Sequence, residues 1–219
     1  SLELKAVAIA DGFSISEVAT AAFTINLPVT EVAGIPYSQN FSQFNALTSP
    51  VNSFGSVGEW TFSGSNLNYA GIFGSGTAGG FRGDGVLGYQ HTGTTGVFTA
   101  TLTLENNTGE AISELEISYL GRVARADQTR FPEWTVSVNG TVYPDLSYST
   151  GLGVDAERSL RIGGLNILPE EEIVISWSSD RGFNAGGSSR QIGLTDVSVA
   201  VPLEGGPKLE VSPNALDFG

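Results

Sequence analysis

Strict alternation of apolar and polar side chains over Val97–Glu105 constrains the fold of this chain more than any other feature. Every second residue of the segment is apolar, and the residues between them are Thr99, Thr101, Thr103 and Glu105. Because successive side chains of a β-strand point to opposite faces, this pattern predicts a strand with one buried and one wet face. A turn-forming segment follows at Asn106–Gly109, and the alternation then resumes through Leu115, Ile117 and Tyr119. The sequence therefore predicts a strand, a turn and a second strand.

The same period of two recurs towards the C-terminus, and helical spacing is not sustained anywhere. Strands are predicted around 134–138, 141–143, 173–177 and 192–201, with Asn139-Gly140 as a hairpin turn. The apolar phase of the last strand slips by one at Thr195-Asp196, which predicts a β-bulge. We therefore expect an all-β fold, an antiparallel β-sandwich of the jelly-roll kind. Its predicted core includes Phe98, Leu102, Leu104, Ile117, Val136, Ile175 and Leu194.

Charge and composition disfavour several classes of function. The chain has 23 acidic and 10 basic residues, a formal charge of −13, no cysteine and a single histidine. Such an acidic surface repels phosphate backbones, so we expect no nucleic-acid partner. Thiolate chemistry is excluded, and most pairs of nucleophile and base are disfavoured. Because few such pairs are available, we expect no catalytic activity. No apolar run approaches the ~20 residues of a membrane span, so we expect no membrane insertion.

Composition also divides the chain into three zones. A central zone of residues 35–202 lies between the region of Pro28 and the Gly205-Gly206-Pro207 segment, and it has the size of one sandwich domain. Alternating segments at 1–28 and 206–219 are too short to bury a core of their own. The chain has no methionine. We therefore expect a piece of a longer protein, with parts of neighbouring domains at both ends.

Aromatic residues divide into two groups by their surroundings. Trp60, Trp134 and Trp177 are in phase with apolar residues of alternating segments, which predicts that they anchor the core. The tyrosines in polar, Gly-rich or Pro-rich surroundings are candidates for an exposed platform against sugar rings. They are Tyr69, Tyr89, Tyr143 and Tyr148.

The central zone contains eight arginines and no lysine, and two sets of arginines in polar stretches stand out. One stretch holds Arg122, Arg125 and Arg130, and the other holds Arg181 and Arg190. Since guanidinium groups bind carboxylates and hydroxyls in a fixed planar geometry, the two stretches together predict a rim that binds an anionic sugar. The predicted ligand-binding residues are Arg122, Arg125, Arg181, Arg190 and Tyr89. The alternative is a network of Arg–Asp/Glu pairs that ties loops together.

Carboxylates offer two further interpretations. Asp84, Asp180 and Asp196 are the best available ligands for a structural calcium, although no complete calcium-binding loop occurs. Glu59 and Glu133 each precede a tryptophan, and a facing pair of carboxylates would suit a glycosidase. Both glutamates are expected to project into water from the starts of strands. The only expected cofactor is therefore a structural calcium.

Several segments resemble modules of large bacterial proteins. The order of "IPYSQNFSQF", "WTFSG", "GTAGGFRGDGVLGYQ", "GVFTATLTLENNTGEAISELEISYLGRVAR", "LPEEEIVISWSSD" and "IGLTDVSVAV" is similar to a module of secreted and surface proteins, particularly of Bacteroidota. Such modules resemble galactose-binding or concanavalin-like jelly rolls. The segment "LKAVAIADGFSISEVATAAFTI" resembles the closing hairpin of the chitobiase/β-hexosaminidase C-terminal type of immunoglobulin-like domain. "PKLEVSPNALDFG" resembles the opening strands of another immunoglobulin-like repeat.

The resemblance implies a function outside the cell without catalysis. It implies an accessory module, secreted or displayed on the cell surface, that binds a surface glycan or supports adhesion. Residues 1–28 and 206–219 would then be partial immunoglobulin-like domains on either side of the jelly roll. Two alternatives remain: a spacer or stalk module whose partners are neighbouring modules or copies of itself, joined head to tail by strand complementation, and a glycoside hydrolase or lyase.

Overall fold

The computed structural model describes residues 2–6, 19–23, 32–42, 58–67, 71–75, 78–182 and 187–202. Within these ranges the regular structure consists of β-strands and short 3₁₀ turns, and no helix is long and apolar enough to cross a bilayer. The strands are β1 (Leu2–Ala6), β2 (Ala19–Phe23), β3 (Tyr37–Gln39), β4 (Trp60–Ser63), β5 (Gly79–Gly83), β6 (Val86–Gln90), β7 (Phe98–Glu105), β8 (Ile112–Ala124), β9 (Glu133–Val138), β10 (Thr141–Val142), β11 (Tyr148–Ser149), β12 (Ala156–Ile167), β13 (Glu172–Ser179) and β14 (Gln191–Ala200).

Twelve of these strands form two antiparallel sheets, which confirms the predicted β-sandwich. Sheet I has the order β10-β9-β13-β7-β4, with β11 also paired to β9. Sheet II has the order β12-β8-β14-β6-β5, with β3 also paired to β14. From β6 to β9, and again from β11 to β14, every connection crosses from one sheet to the other, as in jelly-roll sandwiches.

The first two strands form a unit of their own. β1 and β2 pair with each other in a separate two-stranded antiparallel sheet. They belong to a compact unit of residues 1–31, whereas both larger sheets lie in the unit that begins at Val32. The assignment of 1–28 to an immunoglobulin-like domain stays a prediction, and residues 206–219 lie outside the described ranges.

A buried aromatic layer fills the space between the two sheets. All seven predicted core residues and all three tryptophans are buried, which confirms both sets of predictions. Trp60 and Trp177 of sheet I lie with ring centroids 5.3 Å apart, and Tyr119 of sheet II meets Trp177 edge-on at 5.8 Å. Burial of each large side chain stabilises the fold by roughly 2 to 3 kcal/mol, and such ring pairs add about 1 kcal/mol.

Polar atoms of the aromatic layer also join the sheets. The indole Nε1 of Trp134 on β9 donates to the carbonyl oxygen of Gly193 on β14 at 3.0 Å. The indole Nε1 of Trp60 on β4 donates to the hydroxyl of Tyr37 on β3 at 2.7 Å. Each bond satisfies a buried donor and connects sheet I to sheet II, so the two sheets are held in one relative position.

Two local predictions about turns are also confirmed. Asn139 and Gly140 both have positive φ, 47° and 81°, as a two-residue hairpin turn between β9 and β10 requires. The register of β14 against β8 shifts between Thr195 and Ser198, and Asp196 within the shift has a φ of 50°. A β-bulge therefore lies where the apolar phase of the sequence slips.

Asn106 connects two turns at one end of the sandwich. Its buried side-chain amide donates to the carbonyl oxygens of Glu110 and Ile167, both at 2.8 Å. Its Oδ1 accepts from the Thr108 hydroxyl at 2.7 Å, and its main-chain amide donates to Glu171 at 2.9 Å. The β7–β8 turn is thus joined to the end of β12 and to the residue before β13 by the side chain and the main-chain amide of a single residue.

We expect Asn106→Ala to lower the free energy of unfolding by about 2 to 3 kcal/mol, because the buried carbonyl oxygen of Ile167 loses its donor. Urea denaturation followed by tryptophan fluorescence measures the change. The control is Asn166→Ala, because Asn166 is exposed on β12 and its removal should change stability by less than about 0.5 kcal/mol. Equal losses in the two variants would contradict the role given to Asn106.

Candidate ligand-binding groove and the arginine loops

The outer face of sheet I carries two rows of hydroxyl groups. The strand registers align Ser63, Thr99, Ser178 and Thr135 in one row and Thr61, Thr101, Ser176 and Ser137 in the next. In each row the residues on β7 and β13 are hydrogen-bonded to each other: Thr99 Oγ1 lies 2.9 Å from Ser178 Oγ, and Thr101 Oγ1 lies 3.2 Å from Ser176 Oγ. We call these eight residues the hydroxyl face. They are the polar half of the alternation whose apolar half forms the core.

A groove of about 530 Å³ lies at one end of the hydroxyl face. It begins at Thr135 and Ser178, and its other walls come from the start of β9, from β11 and from the turn after β13. We call it the sheet I groove. Its lining combines hydroxyl groups, two carboxylates and two apolar side chains, provided by Val97, Phe131, Glu133, Thr135, Ser149, Ser178, Ser179, Asp180 and Gly182. This combination can donate to and accept from sugar hydroxyls and can also contact an apolar ring face.

Phe131 is the aromatic residue of the groove, where Arg190 packs on its ring and Gly182 approaches its backbone. The guanidinium carbon of Arg190 lies 4.4 Å from the centroid of the Phe131 ring. Arg190 is itself fixed by donating to the carbonyl oxygens of Gln128, at 3.0 Å, and Thr150. Gly182 has a φ of +75°, and a Cβ there would lie 2.4 Å from the Phe131 carbonyl oxygen. Only glycine allows the turn after β13 to approach Phe131 this closely.

A second and smaller cavity, of about 200 Å³, lies beside the groove. Arg130 and Arg181 line it together with His91, and we call it the arginine pocket. Gln90 forms part of its wall and accepts from Nη1 of Arg125 at 3.4 Å. Arg181 donates to the carbonyl oxygen of Gly93 at 3.2 Å. Two guanidinium groups thus line the pocket and a third contacts its wall, in a chain whose formal charge is −13.

His91 and Ser179 stand between the two cavities. His91 is buried, and its Nε2 lies 3.1 Å from the hydroxyl oxygen of Ser179. Ser179 lines the groove, whereas His91 lines the arginine pocket. Burial lowers the pKa of His91 to about 4, although the nearby Asp180 carboxylate acts in the opposite direction. The imidazole is therefore neutral at pH 7, and the wall between the cavities carries no charge.

The structure separates the four predicted arginines into two pairs. The two polar stretches do meet, because Arg190 N donates to Arg130 O at 3.0 Å. Arg181 lines the arginine pocket and Arg125 donates to Gln90 in its wall, but Arg122 forms an ion pair with Asp155 at 2.6 Å and Arg190 packs against Phe131. Arg122 therefore follows the alternative of an Arg–Asp/Glu pair, whereas Arg190 ties loops together through carbonyl oxygens. A ligand for any of the four arginines stays a prediction.

The tyrosine platform predicted at Tyr89 is wrong. Tyr89 is fully buried, its ring stacks on Phe98 at 4.4 Å, and its hydroxyl donates to Ser65 O. Tyr148 is also buried, with its ring packed against Gly121. Tyr143 is half-buried, and Tyr69 lies outside the described ranges. Neither Tyr89 nor Tyr148 has a ring face to offer a ligand.

The sequence interpretation did not include Phe131 in a site, although a signal for it exists. Phe131 lies two residues before Glu133 and four before Thr135, so it is in phase with these exposed residues and not with the buried Trp134 and Val136. That phase indicates the outer face of β9. Arg130 belongs to the first polar stretch of the sequence but was not listed among its ligand-binding residues, and the contact of its loop with Ser188 and Ser189 brings it to the pocket.

The three aspartates proposed for calcium lie at different places. Asp84 occupies the exposed β5–β6 turn, Asp180 lines the sheet I groove and Asp196 lies in the bulge of β14. Among the residues that the structure describes, no group of three or more acidic or histidine side chains is placed to hold a metal ion. These three carboxylates therefore do not form one shared calcium site, and calcium binding by any of them stays a prediction.

Comparisons with known proteins give structural matches only. No family model and no curated protein matches the sequence. Among solved structures, the carbohydrate-binding module TmCBM61 in complex with β-1,4-galactotriose matches over 72% of this chain and 99% of its own, with 11% identity and a TM-score of 0.39. The CBM22-1 xylan-binding domain of Paenibacillus barcinonensis Xyn10C matches over 80% and 99%, also with 11% identity and a TM-score of 0.39.

A third match is the enzymatically active domain of tailspike protein 4 of bacteriophage CBA120. It has 13% identity and a TM-score of 0.38, and the match covers 73% of this chain but only 22% of that one. TM-scores this low do not establish a shared topology. Neither the fold nor a function is therefore assigned from these similarities.

Burial of neutral His91 makes stability depend on pH. The folded-state pKa of about 4 lies below the ordinary value of 6.5, so the unfolded chain binds the proton more readily. The stabilisation is complete above pH 6.5 and is lost as the pH falls towards 4. We expect a loss of about 2 kcal/mol between pH 7.5 and pH 5. Urea denaturation at pH 7.5, 6 and 5 measures it.

His91→Gln is the matched control, because His91 is the single histidine of the chain and histidine is the side chain whose ordinary pKa falls inside this window. The variant should lose most of the slope between pH 7.5 and pH 5, whatever its stability at pH 7.5. An unchanged slope would show that His91 is not the titrating group.

Proposed function

We propose that this chain is a non-catalytic glycan-binding module of a secreted or cell-surface protein, and that the sheet I groove binds a neutral sugar chain. One observation carries the proposal: a groove of about 530 Å³ opens onto a sheet face lined with hydroxyl groups and holds one positioned aromatic ring. Sugars present both apolar CH faces and rings of hydroxyls, so a site for them needs both kinds of contact.

The charges of the groove favour neutral sugars. Glu133 and Asp180 are the charged residues among its described lining, and both are acidic. Carboxylates accept strong hydrogen bonds from sugar hydroxyls but repel uronate and sulfate groups. Asp180 is fixed in position, because its Oδ1 accepts from Gly182 N at 2.7 Å. The groove itself therefore differs from the anionic-sugar rim that the arginine pattern predicts.

The hydroxyl face gives the groove room for more than one sugar unit. Its two rows cross the four strands β4, β7, β13 and β9, whose spacing is about 4.8 Å. The hydroxyl groups are held by the sheet and by each other, so little conformational entropy is lost when they bind. We expect affinity to rise with chain length, and an open groove of this kind gives a Kd on the order of micromolar to millimolar.

A glycoside hydrolase is the second candidate function, because Glu133 and Asp180 line the same groove. Hydrolysis of a glycosidic bond needs two carboxyl groups, one acting as acid and the other as base or nucleophile. The groove supplies two, so its composition is compatible with this chemistry. Reducing-end assays on every sugar that binds distinguish the two functions, and detectable turnover would contradict the non-catalytic proposal.

The proposal is tested by calorimetry with neutral hexasaccharides of β-1,4-linked glucose, xylose and galactose and of α-1,4-linked glucose. We expect at least one to bind, and Phe131→Ala to weaken that binding by about 10-fold, because the ring face is lost. Leu168→Ala is the control, because Leu168 is an exposed apolar residue next to the opposite end of β13. Its removal should leave the Kd unchanged.

Two results would contradict the proposal. Absence of binding to the whole panel would favour the spacer or stalk module, whose partners are neighbouring modules or copies of itself. Binding that Phe131→Ala and Leu168→Ala weaken equally would place the sugar outside the sheet I groove.

A further inference from the structure

The arginine pocket is lined by an arginine, Arg130, one of whose guanidinium nitrogens has no hydrogen-bond partner among the described residues. Nε of Arg130 is buried, and no described residue accepts a hydrogen bond from it. An unpaired buried donor destabilises the fold, and more so when the group is charged. Such a group needs an explanation, and a bound ligand that orders the side chain is one. Arg130 is therefore the feature of this pocket that fold stability does not explain.

Other lining groups of the pocket also suit an anion. Arg181 donates from Nη1 to Gly93 O at 3.2 Å, and its side chain lines the pocket. Thr92 and Ser188 supply hydroxyl groups. No carboxylate is among the described residues that line the pocket, and the neutral His91 neither attracts nor repels charge. Two guanidinium groups without an acidic neighbour in the lining form a local positive site.

The floor of the pocket is rigid. The side-chain amide of Gln90 donates to Ser189 O at 3.0 Å, and its Oε1 accepts from Gln191 Nε2 at 3.1 Å. Gln191 accepts in turn from Gly74 N at 2.7 Å. Both glutamines are buried with their polar atoms paired, so they support the shape of the pocket rather than compete for a ligand.

We propose that the arginine pocket binds a carboxylate, with Arg130 and Arg181 as its cationic partners. Guanidinium groups match the planar carboxylate with paired hydrogen bonds, which selects it over other small polar groups. A volume of about 200 Å³ holds a single acidic unit rather than a chain. The carboxylate is that of a uronic acid unit, because the pocket and the sheet I groove adjoin each other across the hydrogen-bonded His91–Ser179 pair.

The uronate assignment rests on the proposed glycan function, whereas carboxylate binding does not. One glycan would place a neutral unit in the groove and an acidic unit in the pocket. Glu133 and Asp180 would repel an acidic unit from the groove. The two cavities together would therefore select glycans by the order of their neutral and acidic units.

The test is a nuclear magnetic resonance titration that follows the Nε–H signals of the arginines, with glucuronate and galacturonate as ligands and glucose as the neutral control. We expect the Arg130 and Arg181 signals to shift with both uronates and not with glucose. Arg130→Gln and Arg181→Gln should each weaken uronate binding by about 10-fold. Arg161→Gln is the matched control, because Arg161 pairs with Glu114 on sheet II and loses the same charge.

Arg181 is exposed, so Arg181→Gln keeps the test valid if Arg130→Gln does not fold. Absence of any shift at Arg130 with either uronate would overturn the inference, even if neutral hexasaccharides bind the groove. Shifts at Arg130 without any neutral glycan in the groove would support the carboxylate site and contradict the proposed function. Tighter binding of a short peptide through its C-terminal carboxylate would overturn the uronate assignment.

Discussion

The aromatic layer between the sheets determines where this protein can bind a ligand. Trp60, Trp134 and Trp177 occupy the inner face of sheet I, together with the apolar half of each alternating strand. Since a strand has only two faces, the polar half must point outwards, and it forms the hydroxyl face. The large rings of the chain are thus used for stability. The ring that lines the sheet I groove comes instead from Phe131, just before β9.

The same layer fixes the position of the candidate site. Trp134 follows Glu133 on β9, and its indole bond to Gly193 ties the start of that strand to sheet II. Arg190, which precedes β14, reaches back to hold the Phe131 ring at 4.4 Å. The groove and the arginine pocket are therefore built on the ends of strands that the core already aligns, and loops contribute the chemistry. A rigid scaffold with variable loops is a common basis for recognition sites.

Sequence patterns predicted the parts of the structure that depend on local alternation. Phe98 and Leu102 could be assigned to the core because the alternation of apolar and polar residues along a strand indicates which face is buried. The edge strand β12 was not predicted, because it buries only Ile162 and Ile167 and its other side chains are half-buried or exposed. Tyr89 was misplaced because polar neighbours do not reveal the side to which a residue packs. The meeting of Arg130 with Arg181 depends on topology, which no local pattern contains.

Segregation of charge is the property that makes the two cavities complementary. Glu133 and Asp180 line one cavity, Arg130 and Arg181 line the other, and Asp180 and Arg181 are consecutive in sequence. Opposite charges this close partly cancel at points equally far from both, so each cavity takes the sign of the charge that lines it. Burial keeps His91 neutral and in contact with Ser179, so the wall between the cavities adds no charge of its own. The turn after β13 can therefore present a carboxylate to one cavity and a guanidinium to the other. Under the two proposals, such a surface would distinguish glycans by the positions of their neutral and acidic units.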